Sequence, residues 1–590
     1  MRKIKLLLTI CTVMIFNQAI GQQDILIEAE SFIEKGGWVV DPQFVEQMGS
    51  PYLMAHGMGE RVANAITKVN FNTPGEYHVW ARTKNWIPGN WEAPGQFKLI
   101  VNGKKLKTTL GKTAGWTWEY VDKVNVKSSQ VEIQLVDLTG FNGRCDAIYF
   151  STSKISPTNS QSNLNTWRKT KLGETTVPEI VKEYDLVITG GGLAGCAAAI
   201  SAAEQGLKVA LIHDRPVLGG NASEEIRVHT LGIHGKYERI LKMIDTKHYP
   251  NGSFEAKYDQ EKRDKNMKSF RNIDLFLEWR AYDAKSENNI IKHVDAKHTS
   301  TGERVRFTAP YFVDSTGDGW IGYWAGAEFS YGRESAATYG EAWDEWGELW
   351  SPEEADNFVM GSSVLWQNEK TDKEHKFPEL PWAKDISKDH KAIAGEWYWE
   401  FSRNDLHQIH DAEDIRDHML RAIYGSFANA KKLEENKYYK LQWVSYLVGK
   451  RESRRLIGDH VYTFNDVKNN TKFKDAVVEE SRAVDVHFQR NLKDSNEPDF
   501  LSEAIFYDTE KYYIPYRSLY SKNIENLFMA GRNFSCSHIG LGGPRVMLTT
   551  GQMGAAVGLA AVICKKHNVN PRAVYTEHLQ EYLDLIEDQQ

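Results

Sequence analysis

The chain has 590 residues, of which 41% are hydrophobic and 26% charged, and its formal net charge is −7. A chain of this length is too long for one ordinary hydrophobic core, so we expect two or three domains. The slight acidity leaves no basic excess for binding phosphates, which argues against a nucleic-acid partner.

The first 21 residues have the pattern of an export signal. Three basic residues among the first five precede an apolar run over residues 6–16, and Ala19 and Gly21 supply small residues for cleavage before Gln22. The run is too short to cross a bilayer. We therefore predict an exported protein, periplasmic or extracellular, without stable membrane insertion. A lipid anchor on Cys11 is the disfavoured alternative, because the apolar run before it would be unusually short.

The sequence offers no convincing metal site. Cysteines beyond the signal are scattered without CxxC spacing and are expected to be buried thiols rather than a disulfide framework. His407 and His410 are three residues apart and could share a helix face as ligands, but no further ligand is clustered with them.

Residues 24–152 are predicted to form an all-β sandwich, since short alternating runs such as QVEIQLVDL are separated by Gly, Pro and Asn. Trp80 lies within a strand pattern and belongs to the core, whereas Trp86 and Trp91 lie in turns and could be exposed platforms for sugar rings. Through IEAESF and NGRCDAIYFS the module resembles the carbohydrate-binding jelly rolls often fused to polysaccharide-active enzymes. Residues 153–180, rich in Ser, Thr and Asn, are predicted to be a linker of low order.

A dinucleotide site is predicted where the second module, residues 181–590, begins. An apolar strand over residues 185–189 runs into Gly190, Gly192 and Gly195, then into a helix of small residues and a second strand. In this frame the glycines allow the backbone to approach a pyrophosphate, and the helix N-terminus attracts its charge. The acidic residue expected after the second strand is replaced by His213, so either Asp214 or His213 contacts the ribose, with Asp214 slightly favoured.

Three later segments extend this site. Gly219 and Gly220 allow backbone close to the pyrophosphate, and Asp318 follows an apolar strand in a position for a ribityl or ribose contact. Residues 546–564 carry no charge, but the Gly542–Gly543 pair and Pro544 before them predict a buried helix directed at the ligand rather than a membrane span.

Five motifs follow one another along the second module: GGGLAGCAAA, LGGNASEEIRV, VDSTGDG, GKRESRRLIGDHVYT and SHIGLGGPRVM. Through them the module resembles the FAD-dependent oxidoreductase family with a glutathione-reductase-type fold, in particular a branch found in secreted bacterial proteins. The resemblance implies FAD as the cofactor. It also places the turn with Gly542 and Gly543 near the flavin. The expected fold class is an α/β FAD-binding, Rossmann-like domain with a substrate-cap insert over residues 330–510, preceded by the all-β sandwich.

The insert is expected to hold the substrate. Trp397, Trp399 and Glu400 would supply aromatic stacking and a carboxylate for sugar hydroxyls, although the same aromatics could instead fill a core. His538, just before the glycine turn, is the first candidate for the base that takes a hydroxyl proton, and Arg545 could contact flavin or an anionic group.

We therefore expect an exported FAD-dependent oxidoreductase that oxidises a hydroxyl-bearing carbon of a sugar or glycan fragment. His229 and His234 are weaker candidates for the base. The electron acceptor that reoxidises the flavin is left open. The alternative is a surface glycan-binding protein with a redox-silent flavin fold.

Overall fold

The computed structural model describes residues 24–341 and 347–589, so the predicted export signal lies outside the described residues. The first described unit consists of two antiparallel sheets that share one apolar core. Alternation creates this core: in Gln130–Asp137 every second side chain is buried. One sheet contains Asp24–Glu28, Trp38–Asp41, Tyr52–His56, Gly75–Thr83, Thr117–Val126 and Phe141–Ser151, and the other contains Ala65–Asn70, Phe97–Val101, Lys104–Lys105 and Gln130–Asp137.

Two tryptophans proposed as sugar platforms in this unit differ in the structure. Trp91 is 44% exposed, whereas Trp86 is buried. The Trp86 indole donates to the Phe141 carbonyl and packs edge-on against Trp382 of the insert. The expectation of an exposed Trp86 was wrong because the turn that carries it is covered by the second unit.

Residues 153–180, predicted as a linker of low order, contain the helix Gln161–Leu172. Trp167 packs edge-on against Trp118, and the buried Arg168 pairs with Glu28 and Asp146 of the sandwich. The prediction was wrong here because a polar composition does not reveal that two side chains can attach a helix to its neighbour.

The second unit is built on a five-stranded parallel sheet, buried at its centre as its apolar strands require. Its strands in spatial order are Ile273–Leu277, Val209–His213, Leu186–Thr189, Tyr311–Asp314 and Leu527–Met529. A smaller mixed sheet contains Ile180–Glu183, Arg304–Thr308, Ile290–His298 and Trp279–Glu287.

Two helices beside the parallel sheet, Leu193–Glu204 and Met547–His567, pack very closely against each other. A Cβ on Gly554 would lie 1.9 Å from the Ala194 carbonyl oxygen. Met547–His567 is long and apolar enough to cross a membrane, yet 89% of its most apolar window is buried inside the protein. It is therefore the central core helix of this unit.

Most of the remaining elements between residues 330 and 510 form the insert, which packs on the sandwich. The other helices are Val45–Met48, Glu238–Ile244, Ala256–Lys268, Trp320–Ala325, Ala336–Tyr339, Lys384–Ser387, Ala412–Ala430, Phe464–Lys468, Pro571–Thr576 and Leu579–Glu587. The other strands are Phe329–Ser330, Ser362–Ser363, Trp366–Lys370, Glu400–Phe401, Tyr439–Val444, Gly449–Lys450, Arg455–Leu456, Ala476–Glu480, Val484–Gln489, Ser502–Tyr507 and Tyr512–Pro515.

Candidate functional site

The candidate site begins where Leu186–Thr189 turns into the Leu193–Glu204 helix. Gly190 has a φ of +106°, and a Cβ there would lie 2.2 Å from the Ser315 carbonyl oxygen. Gly192 has an ordinary φ of −69°, but the nearest atom to a Cβ there would be 4.0 Å away. The Gly192 face is therefore open, as a surface that receives a ligand must be. The first N–H groups of the Leu193–Glu204 helix have no acceptors within the helix and remain available at its N-terminus.

A second glycine turn lies beside the first. The Gly219 N–H donates to the Gly191 carbonyl at 2.7 Å, and Gly219 and Gly220 have φ values of +116° and +61°. A Cβ on Gly220 would lie 3.0 Å from the Gly192 Cα. Two glycine turns that are separated in sequence thus form one continuous backbone cradle.

The cradle opens into a cavity of about 720 Å³, within the range of about 300–1,000 Å³ found for small-molecule sites. The cavity runs from the glycine turns to the first turn of Met547–His567 and to the insert. The predicted site residues that line it are Gly190, Gly192, Asp214, Gly219, Gly220, Asp318, Trp397 and Arg545.

Three predicted glycines do not line the cavity. Gly195 lies beneath the cradle, where a Cβ would be 1.8 Å from the Gly190 carbonyl oxygen. Because glycine has no side chain, the helix can approach the strand closely at this position. Gly542 packs against Val484, and Gly543 packs against Tyr512. Gly542 and Gly543 were expected to start the helix that follows, but that helix begins at Met547, three residues after Pro544. The two glycines therefore belong to a buried turn before the helix.

The two candidates for the ribose contact have different roles. His213 is buried, with Nδ1 accepting from the Gly191 N–H at 3.1 Å and Nε2 facing the Val217 carbonyl at 3.1 Å. Burial lowers the pKa of His213 to about 4. Its ring is thus neutral and fully used in holding the glycine turn. Asp214 lines the cavity and accepts from Arg280 at 2.8 Å, so it is the candidate that brings a carboxylate to a bound ligand.

Asp318 also lines the cavity, held by two cations. Its carboxylate accepts from Lys450 and Arg532, each at 2.7 Å, and from the Ser453 hydroxyl. Although burial opposes ionisation, the charges of Lys450 and Arg532 keep the pKa of Asp318 below its usual value. Asp318 is therefore an ionised acceptor in the cavity wall.

His538, the first candidate for the base, is buried behind the cavity wall rather than in it. Its Nδ1 lies 2.8 Å from Glu452, and its backbone N–H donates to Glu334. This geometry supports the turn before Gly542, and it brings no ring nitrogen to the cavity. The structure therefore does not place His538 with the other candidates.

The aromatic and acidic candidates of the insert separate in the same way. Trp397 lines the cavity and is 41% exposed, whereas Trp399 is fully buried and stacks on Phe500. Glu400 is also fully buried, below His487, whose Nδ1 is 2.8 Å from it. For Trp399 the structure shows the alternative of a core position. The prediction that Glu400 contacts substrate hydroxyls was wrong, because its carboxylate is buried against His487 and Arg451.

His487, which sequence reasoning missed, lines the cavity, and its Nδ1 contacts Glu400 behind the cavity wall. Burial opposes ionisation of Glu400, but Arg451 and His487 lower its pKa to about 2. The signal in the sequence was the alternation of Asp485, His487 and Gln489 in the strand Val484–Gln489, but it did not show that this face of the strand meets the cavity.

His229 has the geometry of a proton acceptor. Its Nδ1 lies 2.8 Å from the Asn251 side-chain oxygen, which also accepts the His229 backbone N–H. An amide oxygen only accepts, so Nδ1 carries the proton and Nε2 keeps a lone pair. His229 lines the cavity, whereas His234 pairs with Asp245 and does not.

Three aromatic side chains that line the cavity keep ring surface exposed to solvent, and we call them the aromatic rim. Tyr249 is 66% exposed, Phe506 is 55% exposed, and both line the cavity together with Trp397. Sequence reasoning found Trp397 but not its two neighbours, which come from segments more than a hundred residues away on either side.

Arg545 lines the cavity just before the first turn of Met547–His567. It pairs with Asp485, which also accepts from Arg482. The Nε atoms of Arg545 and Arg482 are buried without a partner among the described residues. Unsatisfied buried donors beside a helix N-terminus provide a place for an electron-rich ligand edge.

The two histidines considered as metal ligands, His407 and His410, pack with their rings tilted against each other, and His407 Nδ1 accepts backbone N–H groups. Within the described residues, one group has metal-ligand geometry, His567, His578 and Glu581, at the surface and outside the cavity lining. The expectation that no metal is used stays a prediction.

A family model described as FAD dependent oxidoreductase matches residues 185–583. Among curated proteins, an iron-sulfur component of the CoB--CoM heterodisulfide reductase of Methanopyrus kandleri is 31% identical over 84 residues. This match covers 14% of this chain and 13% of that protein, so it is confined to a small part of both.

Solved structures give more remote similarities. A geranylgeranyl bacteriochlorophyll reductase-like protein from Thermoplasma acidophilum is 13% identical, with 69% of this chain and 84% of that chain covered and a TM-score of 0.32. The myxobacterial chondrochloren halogenase CndH is 12% identical over 68% of this chain and 79% of its own, with a TM-score of 0.29. A family 35 carbohydrate binding module from Clostridium thermocellum is 19% identical over 22% of this chain and 97% of its own, with a TM-score of 0.19.

Proposed function

Because this chain belongs to the FAD dependent oxidoreductase family, we propose that it is an exported enzyme that oxidises a hydroxyl-bearing carbon of a sugar or glycan fragment. The glycine cradle fits the cofactor: the open Gly192 face and the start of the Leu193–Glu204 helix would hold the pyrophosphate. Asp214 would accept a ribose hydroxyl. Bound FAD supplies an acceptor for hydride.

The observation that carries the sugar proposal is the aromatic rim of this cavity. Trp397, Tyr249 and Phe506 expose ring surface around the mouth of the space that begins at the cradle. Aromatic faces bind the C–H faces of sugar rings, and the indole N–H and phenol O–H supply polar contacts. A sugar held at this rim lies at the entrance to the cofactor cavity.

His229 is the residue best placed to remove the hydroxyl proton. Its Nδ1–H is fixed by Asn251, so Nε2 is the nitrogen of the neutral ring that can accept a proton. Bound FAD would accept the hydride that the substrate carbon gives up. His229 Nε2 would take the hydroxyl proton, and the two losses together would convert the alcohol into a carbonyl. The loop of His229 meets the helix that starts at Met547, since the Leu548 N–H donates to the Leu231 carbonyl.

Anaerobic titration with a panel of mono- and oligosaccharides tests this proposal. Loss of the oxidised flavin absorbance with at least one sugar is the expected result. Unchanged absorbance throughout, combined with tight glycan binding, would support a redox-silent glycan-binding protein instead.

Substituting His229→Gln tests the role of the base. We expect flavin reduction by the sugar to slow by about a hundredfold to ten-thousandfold, the usual contribution of a general base, with FAD binding unchanged. The control is His248→Gln, in which a histidine paired with Asp259 outside the cavity is replaced. Equal rates for the two variants would remove His229 from the mechanism.

Export is proposed from the sequence of residues 1–21 alone. Expression of the full chain in a Gram-negative host, followed by fractionation and N-terminal sequencing, should give periplasmic or extracellular protein that begins at Gln22. An uncleaved cytoplasmic product would contradict this part of the proposal.

A further inference from the structure

The cavity wall contains a segment of the N-terminal sandwich. Pro42, Gln43, Phe44 and Glu46, which connect the Trp38–Asp41 strand to the next strand, line the same cavity as the glycine cradle. They lie more than 140 residues before the cradle in the sequence, so the cavity is complete only when both units are present.

One ion-pair chain connects this segment to the predicted ribose contact. Glu46 accepts from Arg280 through both carboxylate oxygens at 2.7 Å, and Arg280 donates to Asp214 at 2.8 Å. The side chain of Arg280 is only 12% exposed, and all three residues line the cavity. Glu46 thus fixes the guanidinium that orients Asp214, while burial and Arg280 act in opposition and leave the pKa of Asp214 below its usual value.

The segment is held firmly in this place. Gln43 donates to the Tyr446 carbonyl at 3.1 Å and accepts the Val448 N–H at 2.8 Å. Two residues before it, Asp41 accepts from Arg416 at 2.7 Å, with both side chains fully buried. A module that was merely tethered to the enzyme would not share buried ion pairs with it at the cavity edge.

We infer that the N-terminal module is a structural part of the FAD site, in which segment 42–46 forms the wall at the adenosine end and Glu46 is a positioning residue that acts through Arg280. The adenosine end is identified by Asp214, because the residue after the second strand of this fold contacts the ribose. The module therefore serves the cofactor, whatever ligand its outer surface binds.

The test compares FAD and FMN binding to the full-length apoprotein by quenching of flavin fluorescence. For Glu46→Gln we expect FAD affinity to fall about tenfold, and for Glu46→Lys, which places a cation against Arg280, we expect a larger loss. FMN lacks the adenosine, so its affinity should be the same for both variants and the unaltered protein. Glu76→Gln is the matched control, since Glu76 is in the same module and forms an exposed ion pair with Lys123.

Thermal unfolding of each apoprotein shows whether the variants fold. Unchanged FAD affinity in both folded Glu46 variants would overturn the inference. An equal loss of FAD and FMN affinity would also overturn it, because the effect would then belong to the whole site rather than to the adenosine end. Binding is measured without any sugar, so the result is independent of the proposed substrate.

Discussion

At Gly192, we expect glycine to be needed for ligand binding but not for the fold. Its φ of −69° is available to any residue, and a Cβ there would meet no protein atom within about 4.0 Å. We therefore expect Gly192→Val to fold normally and to lose FAD affinity by roughly a hundredfold, about 2.7 kcal/mol, because the added methyl groups occupy the space for the pyrophosphate. Fluorescence titration of the apoprotein measures the loss, and thermal unfolding checks the fold. Full affinity in a folded variant would place the pyrophosphate elsewhere.

We expect His213 to make the stability of the fold depend on pH. Burial lowers its folded-state pKa to about 4, whereas an unfolded histidine titrates near 6.5. Between these values the unfolded state binds more protons than the folded state. The contribution of His213 to the free energy of unfolding is therefore complete above about pH 6.5 and is lost as the pH drops towards 4. The difference corresponds to about 3 kcal/mol.

Substituting His213→Asn should reduce this dependence, since the amide oxygen can accept the Gly191 N–H without titrating. Urea denaturation at several pH values measures it. The variant and the unaltered protein should differ most in slope between pH 4 and 6.5, and parallel curves would show that His213 is not the cause.

At the scale of the elements, the glycine spacing of the Met547–His567 helix sets its distance from Leu193–Glu204. A Cβ on Gly554 would lie 1.9 Å from the Ala194 backbone. We expect Gly554→Val to lower the free energy of unfolding by about 3 kcal/mol, because backbone cannot move aside as a flexible side chain can. FAD affinity should fall as well, since both helices begin at the cavity.

The control is Lys566→Ala, on the same helix, where an exposed ion pair with Glu581 is lost and a change of at most about 1 kcal/mol is expected. Urea denaturation measures both variants. Equal stabilities would show that the two helices can separate without cost.

Local patterns explain which elements the sequence could predict. The strand, glycine turn and helix around Gly190 follow from short-range chemistry, and the structure shows them as predicted. The start of the Met547–His567 helix was misplaced by a few residues, because the turn before it is folded against Val484 and Tyr512, which lie elsewhere in the sequence.

Side-chain direction was harder to predict. Trp397 and Trp399 are two residues apart, yet one is at the rim and the other in the core. A run of aromatic residues indicates that most of them will be buried. Which one stays exposed depends on the elements that pack against the run, and these are distant in the sequence. Arg280 and the 42–46 segment could not have been assigned to the site, because their contacts join different units.

At the scale of the whole molecule, the two units share a buried ionic cluster. Arg144 of the sandwich is fully buried and pairs with Glu413 and Asp417 on the insert helix Ala412–Ala430. Removing one partner from such a cluster leaves unpaired buried charge, so we expect Arg144→Met to lower the free energy of unfolding by about 3 kcal/mol or more. The variant should also unfold in two steps as the units separate.

Calorimetry measures these transitions. Lys123→Met, which removes the exposed partner of Glu76 in the same sandwich, should unfold like the unaltered protein. A single unshifted transition for Arg144→Met would mean that the interface does not depend on the cluster.

In the proposed function, one cavity holds FAD and presents a sugar carbon to it. The most direct measurement is the amount of sugar carbonyl formed per FAD reduced in a single anaerobic turnover of the reconstituted protein. We expect one carbonyl for each flavin. Flavin that stays oxidised with every sugar, or that is reduced without any carbonyl product, would contradict this function.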